Sequence, residues 1–377
     1  MANSTMELPP SSKDRRKPWN ETPLIQSAEL SKRAQCRIFL KLELLQPGGS
    51  FKSRGIGNLI LSYLSDPANQ GKKLHFYSSS GGNAGFAAVV AARDLGCPCT
   101  VVLPISTKPI MVEKLRSAGA TEVIQHGASW YEADTYLRAR FIDAPPSDPA
   151  VKNVYVPPFD HPLIWEGNST MIDEIVAQLP PRINEKGEEI FPADVVICSV
   201  GGGGLLNGVI QGLEKYLQRH PRPGGAPDIQ VVAVETKGAD SLAYSLQKGS
   251  HESLQAITSQ ATTLGALRVS ERTYSYARSP PAGIKITSVV VSDAEAARGV
   301  VTLADESRLL VELACGVNVD VAVGPRLKEV VKDLGPESRV VVITCGGNGI
   351  SPEIVAEYRH RLKFGWDESV MGDQKQD

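Results

Sequence analysis

From Leu74 onward, short β-branched runs alternate with stretches of helical periodicity, and this alternation constrains the fold more than any other feature. Leu74–Tyr77 predicts a strand and Ala84–Leu95 a helix stopped by Gly96. Thr100–Leu103, Lys108–Ala118, Glu122–Gln125 and Trp130–Phe141 continue as strand, helix, strand and helix. A second series has strands at Asp194–Ser199, Ile229–Glu235, Ser288–Ser292 and Arg339–Thr344, with helices at Leu205–Leu217 and Asp293–Leu309. Strands separated by helices return parallel, so the expected fold is α/β: two open, twisted, mostly parallel sheets with flanking helices.

Two domains sharing one active-site cleft are expected, because 377 residues exceed the usual size of one domain. Pro145, Pro146, Pro149, Pro157 and Pro158 mark a crossing, with a boundary near Asn153. The polar segments Pro181–Glu189 and Pro221–Asp228 predict surface loops, and no fixed-period repeat is present.

Several function classes are disfavoured at this level. A formal net charge of -2 offers no basic footprint for nucleic acid. Apolar runs such as Phe86–Ala92 are far shorter than the roughly 20 residues of a membrane helix. The six cysteines never take a C-x-x-C spacing, and five of them read as buried free thiols in a reducing compartment. No histidine pair has the i, i+4 spacing of a zinc hydrolase. Residues 1–20 are polar, lack the apolar core of a secretory signal and are expected to form a disordered leader. Cytoplasm is the default location, and the Arg15–Lys17 cluster leaves a mitochondrial leader open.

The chemistry lies in four segments. In Ser199-Val200-Gly201-Gly202-Gly203-Gly204-Leu205, a glycine run joins a strand to a helix, where bare N–H groups and the positive helix end can cradle a phosphate. Gly202, Gly204 and Gly208 also echo a dinucleotide fingerprint, with Glu235 placed like a ribose-binding acid, so the run alone does not say which phosphate. Gly49-Ser50-Phe51-Lys52-Ser53-Arg54-Gly55 sets a lysine beside an aromatic ring, although a lone lysine is more often a solvated one. Ser78-Ser79-Ser80-Gly81-Gly82-Asn83-Ala84-Gly85 could clamp a carboxylate or could be an ordinary Ser/Gly turn with an N-cap. Cys345-Gly346-Gly347-Asn348 follows the last apolar strand, where open α/β sheets place ligands, although alone Cys345 reads as a structural thiol.

Taken in order, these segments resemble the serine and threonine dehydratases among the fold-type II pyridoxal-phosphate enzymes, whose architecture is like that of the tryptophan synthase β subunit. The resemblance runs from about Thr22 to Ile350 and includes Pro157–Gly167 (P-P-F-D-H-P-L-I-W-E-G) and Leu310–Gly316 (L-V-E-L-A-C-G). It is strongest to the short, catalytic-only serine dehydratases, which implies β-elimination of L-serine to pyruvate and ammonia, and of L-threonine to 2-oxobutanoate.

Residue by residue, the resemblance implies that Lys52 binds pyridoxal phosphate covalently and moves the α-proton. Phe51 and Ala266 would flank the cofactor ring, Asn83 would bond its phenolic oxygen and Gly201, Gly202, Gly203 and Gly204 its phosphate. Cys345 would face the pyridine nitrogen, where a neutral partner favours elimination over transamination or racemisation. Ser80, Gly81, Asn83 and Ala84 would bind the substrate. Glu235, Ala239, Ser241, Leu267 and Val269 match a monovalent-cation site suited to potassium. The family also implies a homodimer, a small domain over 45–153, a cofactor domain over 21–44 plus 154–355, and a polar tail over 356–377.

Two departures from the family stand out. Gly81 replaces the alanine or serine more usual there, and only a short tail follows Ile350, so a C-terminal regulatory domain is not expected. Serine racemase is the nearest rival, because Ser80 lies where a second base would sit. A non-catalytic sensor would have no need of Lys52, Asn83, the glycine run and Cys345 together, and a nicotinamide dehydrogenase leaves Lys52 without a role.

Overall fold

The computed structural model describes residues 16–146, 148–184, 186–221 and 227–366. The strands are β1 (Leu24–Ser27), β2 (Arg37–Lys41), β3 (Lys73–Ser78), β4 (Cys99–Leu103), β5 (Glu122–Gln125), β6 (Val151–Tyr155), β7 (Arg182–Ile183), β8 (Glu189–Ile190), β9 (Val195–Ser199), β10 (Ile229–Thr236), β11 (Ile284–Val291) and β12 (Arg339–Ile343). The helices are α1 (Ala28–Ala34), α2 (Lys52–Ser65), α3 (Asn83–Asp94), α4 (Pro109–Ser117), α5 (Trp130–Leu137), α6 (Pro162–Gln178), α7 (Gly204–Arg219), α8 (Ser241–Lys248), α9 (Glu271–Arg278), α10 (Asp293–Ser307), α11 (Leu313–Val323), α12 (Arg326–Val330) and α13 (Pro352–Phe364).

The described residues divide into a small unit, 16–19 and 56–158, and a large unit, 20–55 and 159–366. The small unit is built on a four-stranded sheet ordered β5-β4-β3-β6, with every pair parallel. The large unit carries a six-stranded sheet ordered β1-β2-β12-β9-β10-β11, in which only β1 runs antiparallel to its neighbour. Strand β9 is buried at all five positions and reads Val-Val-Ile-Cys-Ser. Such unbroken apolar runs are what a parallel strand covered on both faces requires.

Helix ends follow their local chemistry. The Ser292 hydroxyl accepts from the Glu295 N–H while the Glu295 carboxylate accepts from the Ser292 N–H, a capping box that starts α10 at Asp293. Ser129, Ser270 and Ser351 cap α5, α9 and α13 by the same side-chain-to-backbone bond.

The expected division needs correction at both crossings. Residues 45–55 belong to the large unit, because the Phe51 N–H donates to the Cys345 carbonyl (3.1 Å) and the Gly347 N–H to the Gly49 carbonyl (2.9 Å). Asn153 is not at a boundary but inside β6, paired with His75 of β3, and the crossing falls after Pro158. The polar tail is also shorter than expected. Residues 352–364 form α13, which packs on α10 with Val355 buried, whereas 367–377 lie outside the described residues. Of the expected leader, 1–15 lie outside them too, and Trp19 is buried. The 181–189 segment pairs as the β7–β8 hairpin, and 222–226 of the second expected loop are outside the described residues.

Helices α10 and α11 approach closely enough to require two glycines. A Cβ on Gly299 would stand 1.9 Å from the Gly316 carbonyl oxygen, and one on Gly316 2.1 Å from the Ala296 oxygen. We expect Gly299→Ala to destabilise the protein by about 2–3 kcal/mol, since backbone must shift to admit the methyl group. Urea unfolding checks this, and an unchanged midpoint would show that the two helices are farther apart than described.

Candidate active site

In the large unit, three segments meet at the carboxyl ends of adjacent strands. Strand β9 runs into the glycine turn, and its neighbour β12 runs into Thr344–Asn348. The third segment, Gly48–Phe51, is zipped to the second. Ser50 forms a bridge with Gly346, and the Asn348 side-chain amide donates to the Gly48 carbonyl (2.9 Å). Lys52 follows at once as the first residue of α2, with its Nζ 5.3 Å from the Phe51 ring centroid and 6.0 Å from that of Phe159.

The glycines of the phosphate-type turn serve packing as well as access. Gly203 takes φ +90°, and a Cβ there would sit 1.9 Å from Thr273 Oγ1, so both conformation and space demand glycine. A Cβ on Gly202 would enter the Phe159 ring at 2.3 Å. Behind the turn, Asn207, Ser270 and Thr273 form a buried hydrogen-bonded triad at 2.8–2.9 Å, and the Ser270 N–H donates to the Gly202 carbonyl (3.0 Å). None of these three residues was singled out from sequence, because single polar residues with non-local partners leave no spacing to read.

Cys345 Sγ lies 3.3 Å from Ser199 Oγ and accepts from the Asn318 amide at 3.6 Å. The backbone nitrogen of Ala266 donates to the Leu264 carbonyl (2.7 Å), and a Cβ on Gly201 would stand 3.1 Å from Leu264 Cα, which brings the Ala266 segment to the glycine turn.

Of the expected cation ligands, Glu235 is the penultimate residue of β10 and accepts from the Leu242 and Ala243 N–H groups (2.8 and 2.9 Å) at the start of α8. Ser241 is buried with its hydroxyl unpartnered, and the backbone nitrogen of Ala239 donates to Thr236. The carbonyls of Leu267 and Val269 accept from the Leu254 N–H (2.7 Å) and the His251 ring (2.8 Å), leaving each one further lone pair. Burial raises the Glu235 carboxyl to about 8.

In the small unit, the Ser78–Asn83 turn joins β3 to α3. Gly82 is the N-cap and supplies no side-chain bond, and Asn83 is the first helical residue. The Gly82 N–H donates to Ser80 Oγ (3.3 Å). A Cβ on Gly81 would meet Leu103 Cδ2 at 3.2 Å and Thr107 Cγ2 at an ordinary 3.6 Å, so an alanine there needs a small movement of one leucine. Gly85 is fixed more strictly, because its Cβ would fall 1.7 Å from the Ser80 carbonyl oxygen.

Residues 16–346 match the family model described as pyridoxal-phosphate dependent enzyme. The chain belongs to this family. It is 42% identical over 335 residues, 88% of each chain, to the catabolic L-serine/threonine dehydratase of Saccharomyces cerevisiae. It is 39% identical over 350 residues, 90% of this chain and 94% of the other, to a serine dehydratase-like protein of Rattus norvegicus. The structure of an L-serine ammonia-lyase from the fungus Rhizomucor miehei superposes with a TM-score of 0.77 at 30% identity, covering 92% of this chain and all of that one.

Two features of the large unit suit the pyridoxal-phosphate family. Helix α7, sixteen residues long, has no side-chain cap, and among the described residues the N–H groups of Gly201, Gly202 and Gly203 find no protein acceptor. Such a donor set suits an anion like the cofactor's phosphate. The buried hydroxyls of Ser50 and Thr344, next to Phe51 and Cys345, are also unpartnered.

The titrations in this family member follow from burial. Desolvation lowers the Lys52 ammonium to about 8, opposed by the nearby Cys345 sulfur. Cys345 is the more acidic of two buried thiols, lowered by hydrogen bonds from Cys315 and Ser199, whereas burial pushes Cys315 well up. Directly behind Lys52, Arg54 is fully buried and bonds both oxygens of Glu43 (2.7 Å each) and both of Glu174 (2.5 and 2.6 Å). Lys41 Nζ adds a bond to Glu174 (2.6 Å).

A lysine whose pKa is lowered loses its proton earlier on the alkaline side. The cofactor-free protein should therefore show Lys52 reacting with an amine-selective reagent at a rate that rises with a midpoint near pH 8. A midpoint above 10, read by peptide mapping, would mean the side chain is solvated. Arg54→Met should cost about 3–5 kcal/mol in urea unfolding, because it strands two buried carboxylates; a loss below 1 kcal/mol would show them to be hydrated.

Proposed function

We propose that this protein removes water and then ammonia from L-serine to give pyruvate, and acts likewise on L-threonine to give 2-oxobutanoate. The observation that carries the reading is the buried Lys52, with its lowered pKa, at the strand ends that also bear the uncapped glycine turn and Cys345. By their names, the yeast relative acts on L-serine and L-threonine and the fungal one on L-serine.

In this reading Lys52 would hold the cofactor and, as a neutral amine, would take the α-proton of the substrate. When bound, pyridoxal phosphate supplies the electron sink for the pair left behind. Gly201 to Gly204 would hold the phosphate with backbone donors, Phe51 and Ala266 would flank the ring, and Asn83 would bond the phenolic oxygen. Ser80, Gly81, Asn83 and Ala84 bind the substrate, with the carboxylate against the uncapped start of α3. Cys345 would face the ring nitrogen, where a thiol, a far weaker acid than a carboxyl, would favour β-elimination over racemisation.

Potassium at Glu235, Ala239, Ser241, Leu267 and Val269 completes the assignment. Its support is the unpartnered buried hydroxyl of Ser241 beside Glu235, whose charge burial opposes and two backbone N–H groups only partly offset.

The purified protein should take up pyridoxal phosphate with the absorbance band of a lysine-linked cofactor and release pyruvate from L-serine. Potassium chloride should support this better than tetramethylammonium chloride. Lys52→Ala should lose the band and about a thousandfold or more of the rate. A colourless protein would sink the proposal, and colour without pyruvate would point to another reaction of the same family.

A further inference from the structure

Three hydroxyls line the turn after β3, and one of them is turned away to an acid. Ser79 Oγ donates to Asp134 Oδ1 at 2.6 Å, and the Tyr155 hydroxyl donates to the same oxygen at 2.7 Å. Arg138 Nε donates to Asp134 Oδ2 at 2.7 Å, and its guanidinium carbon lies 4.0 Å from the Tyr155 ring centroid. Ser79 is 1% exposed and Asp134 8%. Asp134 stands on α5 and Tyr155 on β6, so two elements far apart in sequence converge under one turn of the small unit.

A carboxylate this buried is costly unless its oxygens are filled, and here three donors fill them. One of those bonds ends on the backbone segment whose next residues supply donors to the substrate carboxylate. A negative charge near such a site opposes a carboxylate ligand, and the Arg138 ion pair offsets that charge.

We propose that Asp134, held by Tyr155 and Arg138, is a positioning residue for the substrate carboxylate: it fixes Ser79 and thereby the placement of the Ser80–Ala84 donors. This rests on the functional reading given above, which assigns that turn to the carboxylate. Asp134 touches neither substrate nor cofactor.

The test compares holoenzyme carrying Asp134→Asn or Tyr155→Phe with the unaltered protein. KM and kcat for L-serine are measured together with the inhibition constant of ethanolamine, which is serine without its carboxylate. Asp134→Asn should raise KM about tenfold and Tyr155→Phe about threefold, with kcat within about twofold, the pattern of lost uniform binding. Ethanolamine inhibition and the cofactor absorbance band should not change. A merely structural role would raise the KM and the ethanolamine constant together, and that result overturns the proposal, as does an unchanged KM in both variants. Should Asp134→Asn fail to fold, Tyr155→Phe decides alone, since it removes one hydroxyl and leaves the carboxylate paired. Absence of pyruvate from the unaltered protein would remove the functional reading and the anchor with it.

Discussion

The buried quartet of Lys41, Glu43, Arg54 and Glu174 is the interaction on which the large unit's site depends. Arg54 is two residues after Lys52, so whatever fixes the guanidinium fixes the first turn of α2. Glu43 comes from the turn after β2, Glu174 from α6 and Lys41 from the last position of β2. Two cations and two carboxylates balance, and Thr22 and Gln178 fill remaining positions at 2.6–2.9 Å. Such a cluster is a poor source of net stability, because desolvation offsets its attraction. What it provides is uniqueness: a fork bonded to two acids has one orientation, and a shift of the helix would strand a buried charge.

Helices α3 and α7 begin at glycine, Gly82 and Gly203, which supply no side-chain cap. Glycine at these points does two jobs. At Gly203 it permits a left-handed conformation and admits Thr273, and at Gly202 it admits the Phe159 ring. The bareness expected of the glycine run is therefore as much a demand of packing as of ligand approach.

Much of the parallel-sheet alternation was legible, and Glu122–Gln125 agrees with β5 to the residue. Elements were missed for identifiable reasons. Helix α11 is buried from Leu313 to Ala322 and has no polar face, so no helical period shows. Strand β6 lies among prolines that suggested a crossing, yet Val151–Tyr155 pairs along its length with β3. Strand β11 begins at Ile284, four residues before the expected Ser288, because Lys285 and its neighbours sit on a half-exposed edge where apolar continuity is lost.

The sequence by itself determined the residue types that carry the chemistry and the strand-to-turn-to-helix setting of each, because glycine runs, capping serines and β-branched strands act over a few neighbours. It also carried the family resemblance, through Lys52, Asn83, the glycine run and Cys345 in order. Only the tertiary structure decided which polar residues hold those segments in place. Arg54 with Glu174, Ser79 with Asp134 and Gly203 with Thr273 are pairs separated by 55 to 120 residues. Such pairings are made by burial, where an unfilled donor or a stranded charge is costly, and burial is a property of the folded chain that no local spacing records.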